Sequence, residues 1–411
     1  MSVSAPDRAE TRRPASKSGA RRVATLAFAA QGVSVAAVYT TVPAVTEHLK
    51  LDPLLTTSLM VTVALMAGAG SFLGLAAVRV AGPVATMRGA LLTGVAALTL
   101  IGAASGKATA VCGYVLFGIA VGALDVGINT RAAAIERAYG RSIFGSFYTA
   151  WSLGGVVAAL LTAAAARLEW PVAGGLSVQA GILLVVAVCL RTHPLPSSGP
   201  SSARLSAPSS EEPLEPPALG RLLWFRLLPF GLVLLVVYVV DSTVSAWSAV
   251  YLRQTLAASL TVAPMAYAAY QGGTVVGRAA TDRLVQRCGA VAVVRTAALL
   301  VAGALAGMAA APGWPFAVLA AGVVGLGASV LVPLCLASAA RLRPAAAETV
   351  LARLNLFNYA GVVTGGAASG LLGSTGEFRL AYAAPAALTV LVLAGARHFT
   401  GPPEPAVPPK S

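Results

Sequence analysis

Apolar residues gather along this chain into long runs, each close to the ~20 residues that a helix needs to cross a bilayer. Twelve such runs can be read, at 23–46, 55–77, 84–105, 109–130, 143–166, 172–190, 226–250, 260–281, 290–311, 316–340, 349–372 and 379–398. They read as helices. Between the sixth and seventh lies Thr192 to Gly220, rich in Pro and Ser and carrying Glu211, Glu212 and Glu215. That composition cannot bury a core and predicts a flexible linker. The pattern predicts an all-α integral membrane protein: a polar tail over 1–22, six helices over 23–191, a linker over 192–222, six helices over 223–398 and a tail over 399–411.

Composition agrees. Of the 411 residues, 57% are hydrophobic and 11% charged, where a soluble domain carries about a quarter charged residues. Mean hydropathy is +0.79, so the lipid bilayer is the solvent for most of the surface. A soluble enzyme, a disordered protein and a secreted disulfide scaffold are excluded. The net charge of +14 does not imply nucleic acid, because the basic residues stand singly between apolar runs. Of the 29 Lys and Arg, all but Lys50, Lys107, Arg167, Arg253 and Arg379 fall on the side of the tails and the even-to-odd loops. That asymmetry predicts a multi-pass protein of the cytoplasmic membrane with both termini and the linker in the cytoplasm. The N-terminal stretch, with Pro6, Pro14 and five arginines before residue 23, reads as a retained tail rather than a signal peptide.

Cys112, Cys189, Cys288 and Cys335 are far apart, with no CxxC and no His at metal spacing. No structural disulfide and no metal site are expected. His48, His193 and His398 stand at the ends of runs, outside the place of a buried proton relay. Gly102 to Thr109 is one residue short of a P-loop and has Ala108 where Ser or Thr belongs. No ATP and no cofactor are expected.

The halves are related. Gly74 and Gly277 are 203 residues apart, and Gly118 and Gly322 are 204 apart. Tyr148 with Gly154-Gly155 matches Tyr359 with Gly365-Gly366 at an offset of 211. Together they suggest a duplicated six-helix unit.

With these features the chain resembles the major facilitator superfamily of secondary transporters. The most specific stretch is Gly277-Arg278-Ala279-Ala280-Thr281-Asp282-Arg283, leading to Arg287 and Gly289 after the eighth run. It is similar to the family's cytoplasmic gate motif, with one extra residue between Gly and Asp. The matching loop after the second run, from Gly74 to Arg88, lacks the acid. Gly118 to Asn129 resembles a little-characterised bacterial branch with Asp and Asn one turn apart in helix 4. The proline-containing antiporter motif is absent from helix 5. The resemblance implies two pseudo-symmetric six-helix bundles, alternating access, and a cavity surrounded by helices 1, 4, 7 and 10.

Of the 15 acidic residues only Asp125 and Asp241 lie inside apolar runs. A carboxylate at membrane depth is costly and by default marks a pathway. Tyr238, Asp241, Ser245 and Ser248 share one helical face, which reads either as a wall binding a proton or polar solute, or as interhelical hydrogen bonding. Asp125, with Asn129 a turn on, lies ~9 Å of helix from Arg131. It reads as a gate near the cytoplasmic mouth, a structural pair or a coupling group. The implied cavity adds Gln31, Tyr39 and Ser329 from helices 1 and 10. Helices 5, 8 and 11 could add Tyr148, Trp151, Tyr270, Gln271, Asn355 and Asn358, each of which also reads as packing glue. With two acids and no intramembrane Arg, a neutral or weakly cationic solute is favoured.

The expected function is secondary transport of a small organic solute by a monomer, driven by protons through Asp241 and Asp125. Export is placed slightly ahead of uptake, because the lining reads as apolar and aromatic. A nutrient or sugar uptake permease is the alternative, and a membrane sensor or intramembrane enzyme is the rival from another class. An intramembrane enzyme should show a nucleophile–base pair or metal constellation at depth, and the sequence shows none.

Overall fold

The structure is a computed structural model, and it describes residues 17–141, 143–190, 217–343, 347–396 and 399. Twelve helices follow one another among these residues. The first six are α1 (Lys17–Leu49), α2 (Pro53–Ala81), α3 (Pro83–Gly102), α4 (Lys107–Tyr139), α5 (Phe144–Arg167) and α6 (Val172–Cys189). The second six are α7 (Pro217–Gln254), α8 (Met265–Cys288), α9 (Ala290–Ala309), α10 (Trp314–Ala340), α11 (Ala347–Ser374) and α12 (Phe378–Gly395). By length and composition ten of them could cross a membrane. The other two, α8 and α11, are diluted by polar residues such as Gln271, Arg278, Asp282, Asn355 and Asn358.

Helix ends follow local chemistry. Asp52 caps α2, its carboxylate accepting from the Leu55 amide at 2.8 Å, with Pro53 at the first turn. Gly82 (φ 83°) ends α2 and starts α3, and Gly289 (φ 78°) does the same between α8 and α9. Both positions are left-handed backbone that glycine enters without steric cost.

Three boundaries differ from the sequence reading. Helix α7 begins at Pro217, inside the segment read as linker, and α1 begins at Lys17, inside the segment read as tail. The stretch from Gly277 to Arg287, read as a loop motif, is the end of α8. Nothing before Gly289 breaks the helix, so charge alone does not end it. Residues 1–16, most of the linker (191–216), 400–411, His193 and His398 lie outside the described residues.

Glycines set the packing within each half, and the two halves use them alike. A Cβ on Gly70 or Gly74 of α2 would strike the α4 backbone at Ile119 or Ala123. A Cβ on Gly273 or Gly277 of α8 would strike α10 at Gly322 or Leu326. Gly154 brings α5 onto α1 at Ala29, as Gly365 brings α11 onto α7 at Val239. Small residues let backbones approach in lipid, where dispersion packing carries association. The duplication read from these glycines is thus two pseudo-symmetric six-helix bundles.

The halves meet through α1 with α7, α2 with α11 and α5 with α8. Contact is tightest toward the face of Lys50, Lys107, Arg253 and Arg379, called here the sparse face. There Thr57 Oγ1 of α2 donates to the Gly370 carbonyl of α11 at 3.0 Å, while within the C-half Trp247 Nε1 ties α7 to the Gly366 carbonyl of α11 at 2.9 Å. Arg253 pairs with Glu47 at 2.5 Å, and every residue of α7 from 242 to 252 is buried. Toward the opposite, basic face, Asp125, Asn355 and Tyr359 are exposed. The molecule is closed at the sparse face and open toward the basic one.

Candidate functional site

The site is built from both halves. In the N-half, Gln31 Nε2 of α1 donates to Asp125 Oδ1 of α4 at 3.4 Å. Asn129 Nδ2 donates to the same carboxylate oxygen at 3.1 Å. Tyr148 of α5 then donates to Asn129 Oδ1 at 3.3 Å. Three helices are thereby tied to one acid, whose side chain still opens into the space between the halves. Asp125 lies about 27 Å of helix from Lys107 and about 21 Å from Tyr139, nearer the basic-face end of α4. Arg131, one of the basic residues counted on the side of the tails, is buried at 9% exposure.

In the C-half, the Tyr270 phenol of α8 donates to Asp241 Oδ1 of α7 at 2.5 Å. Asp241 is half-buried, and Tyr39, Tyr238 and Tyr267 lie within electrostatic reach of it. The stripe read on α7 is divided. Tyr238 and Asp241 stand at the shared space, while Ser245 (5%) and Ser248 (0%) are buried in the closed part with no hydrogen-bond partner for their hydroxyls among the described residues. Helical spacing put the four on one face; bundle closure withdrew two of them.

Tyr238 joins the halves, since Asp125, Asp241, Tyr148 and Arg278 all act electrostatically on its phenol. From α11, Tyr359 reaches Asp125 and Tyr148 in the same sense. Tyr148 and Tyr359, matched in the repeat, therefore both lie within electrostatic reach of Asp125. That match was the available signal for Tyr359, which the candidate set omitted.

Other candidates lie elsewhere. The Ser329 hydroxyl bonds back to the Leu326 carbonyl at 3.0 Å and packs against Gly277, so it belongs to the α8–α10 contact and not to the cavity. Buried Gln271 accepts from Thr274 at 3.4 Å and lies against Gly155, in the α5–α8 contact. Half-buried Trp151 presents its backbone carbonyl to Gly32, where α5 meets α1. Asn358 donates to Asn355 at 3.0 Å along α11, on the open side.

The gate motif also separates. Gly277 is buried against α10, whereas Asp282 and Arg283 are exposed, and Asp282 makes no ion pair among the described residues. Arg278 turns away from Asp282. Its Nη1 donates to the Tyr148 carbonyl and to Ser152 Oγ of α5, each at 2.8 Å. Its charge is felt by Asp241, Tyr270, Tyr148 and Tyr238. An arginine thus stands within α8, between it and α5 and beside the Tyr148 ring, where the sequence reading had none inside a span. The sequence reading placed Arg278 at the end of the eighth run and gave it to the cytoplasmic gate motif, not to the site.

A pair of six-helix bundles around a central polar site, closed toward one face and open to the other, has the architecture of a membrane carrier. The Major Facilitator Superfamily model matches residues 230–411. The membrane protein MosC of Rhizobium meliloti is 30% identical over 316 residues, 75% of this chain and 74% of that one. An uncharacterised MFS-type transporter of Yersinia pestis is 27% identical over 294 residues, 71% of this chain and 73% of the relative. Among solved structures, a mutant form of the nucleoside transporter NupG superposes with a TM-score of 0.71 at 14% identity, covering 92% of this chain and 99% of NupG. The chain belongs to the major facilitator superfamily. It is a multi-pass secondary transporter acting on a small molecule in a lipid bilayer, and not an enzyme.

Proposed function

We propose that the protein couples movement of a small organic solute to protons, with Asp241 as the proton carrier and the basic face in the cytoplasm. The observation that carries this is the Asp241 environment. Its carboxylate faces the space shared by the halves, bonds to the neutral Tyr270 phenol, and has no cation within 4.0 Å among the described residues. A carboxylate so placed can take and release a proton as the site opens to one face and then the other, which is all that coupling requires. Asp125, tied to Gln31 and Asn129, fits a positioning role better.

An apolar lining would favour export of drugs. The lining read here is polar, with Asp125, Asn129, Tyr148, Tyr238, Asp241 and Arg278, so a defined polar metabolite suits it better. This moves the preference from efflux toward the uptake permease. Proteoliposomes with an imposed pH gradient, screened against labelled polar metabolites, test both directions. Solute movement indifferent to the gradient would end the proton assignment.

A further inference from the structure

Arg278 is a strong polar feature of the site that proton coupling leaves unused. It lies within α8, about 20 Å of helix from Met265 and about 15 Å from Cys288. Its Nη1 is committed to the Tyr148 carbonyl and Ser152 Oγ. Both acceptors are neutral. Among the described residues its Nε and Nη2 have no hydrogen-bond partner and no carboxylate lies within 4.0 Å. Asp241 is its near neighbour, but stands beyond ion-pair distance with one oxygen held by Tyr270.

A guanidinium half-withdrawn between helices is costly unless an anion meets it. The edge left free is the planar Nε–Nη2 fork, which matches a carboxylate with two parallel hydrogen bonds. The anchored Nη1 fixes the direction of that fork, and the Tyr148 ring beneath it, 5.9 Å from the guanidinium carbon, limits its swing. We propose that Arg278 is the anion subsite of the transport cavity and that the solute carries a carboxylate which docks on its Nε–Nη2 edge. This rests on the reading of the shared space as the solute site. A carboxylate is favoured over a phosphate because Asp125 and Asp241 face the same space, and a second negative charge on the ligand doubles the repulsion. The phenol rings of Tyr148, Tyr238 and Tyr359 give a planar organic body somewhere to lie.

The test uses the purified full chain without any gradient, with benzoate as probe, benzamide as its uncharged counterpart and inorganic phosphate as the rival anion. Binding is read by thermal stabilisation and tryptophan fluorescence. Benzoate is expected to bind in the millimolar range, with benzamide and phosphate about tenfold weaker or worse. Arg278→Gln should lose about tenfold or more, and Arg278→Lys, which keeps the charge but not the fork, should fall between. No benzoate binding to the wild type, or benzamide or phosphate binding equally well, overturns the proposal. So does Arg278→Gln binding benzoate as the wild type does. If Arg278→Gln fails to fold, Arg278→Lys and the benzamide comparison still decide. Benzoate binding without pH-driven flux would remove proton coupling and keep this subsite; flux without benzoate binding would do the reverse.

Discussion

Arg253, near the end of α7, holds Glu47, near the end of α1, at 2.5 Å across the boundary between the two halves. Arg253 Nη1 also caps the Ala258 carbonyl at 3.0 Å, which keeps the guanidinium in place. The pair sits on the closed face, so it must part when that face opens. Both side chains are partly exposed, 35% and 44%, and a pair of that kind is worth about 0–1 kcal/mol. Glu47→Gln is therefore expected to shift the population toward opening at the sparse face by up to about fivefold. Spin-label distances between the sparse-face ends of α1 and α7 measure this. An unchanged distribution would leave the pair without a gating role.

Asp241 and Tyr270 make a second test. Asp241→Asn keeps the shape and the Tyr270 hydrogen bond but cannot carry a proton. Accumulation driven by a pH gradient should be lost, while counterflow exchange partly survives. Asp241→Glu should retain some driven transport. Tyr270→Phe removes the one side-chain donor seen at Asp241 and should lower driven transport more than exchange. Driven uptake and counterflow in the same vesicles separate these outcomes, and full driven transport in Asp241→Asn would dismiss the carrier role.

Asp125 should behave otherwise. It accepts from Gln31 and Asn129, and so organises α1, α4 and, through Asn129, Tyr148 of α5. Asp125→Asn puts an amide among two amide donors and disturbs the network. Driven transport and exchange should fall together, by about tenfold, as for loss of a charge-assisted hydrogen bond. Loss of driven transport alone would make Asp125 the coupling group.

How much of this was legible follows from what sets each feature. Helix number is written in the length of apolar runs, because lipid forces every spanning backbone to close its own hydrogen bonds. Asp125 and Asp241 stood out because charge inside such runs is rare. Which way a side chain faces across the bundle is not written locally. Ser245 looked like a cavity residue by spacing and Ser329 by the implied ring of helices, yet bundle closure buries one and the α8–α10 contact absorbs the other. Arg278 was read as part of the gate and not of the site for a different reason. Charges at Arg278, Asp282, Arg283 and Arg287 resemble the end of a span, but the helix continues to Cys288 and the Arg278 side chain reaches across to Tyr148 and Ser152 of α5.

Adjacent glycines in α8 test the packing on which this geometry depends. Gly272 and Gly273 are one residue apart, so they share helix, depth and sequence context. A Cβ on Gly272 would meet nothing within 4 Å. A Cβ on Gly273 would run into the Gly322 carbonyl of α10 and lie 2.9 Å from the Leu326 nitrogen. Backbone cannot step aside as a flexible side chain can, so α8 and α10 would have to separate. Overpacking of that kind costs about 1–3 kcal/mol. Gly273→Ala is expected to lower the melting temperature in detergent and to weaken transport, since α8 carries Tyr270 and Arg278. Gly272→Ala should change neither. Equal stability of the two variants would show that the α8–α10 approach is looser than described, and that the positions of Tyr270 and Arg278 are not set by glycine contact.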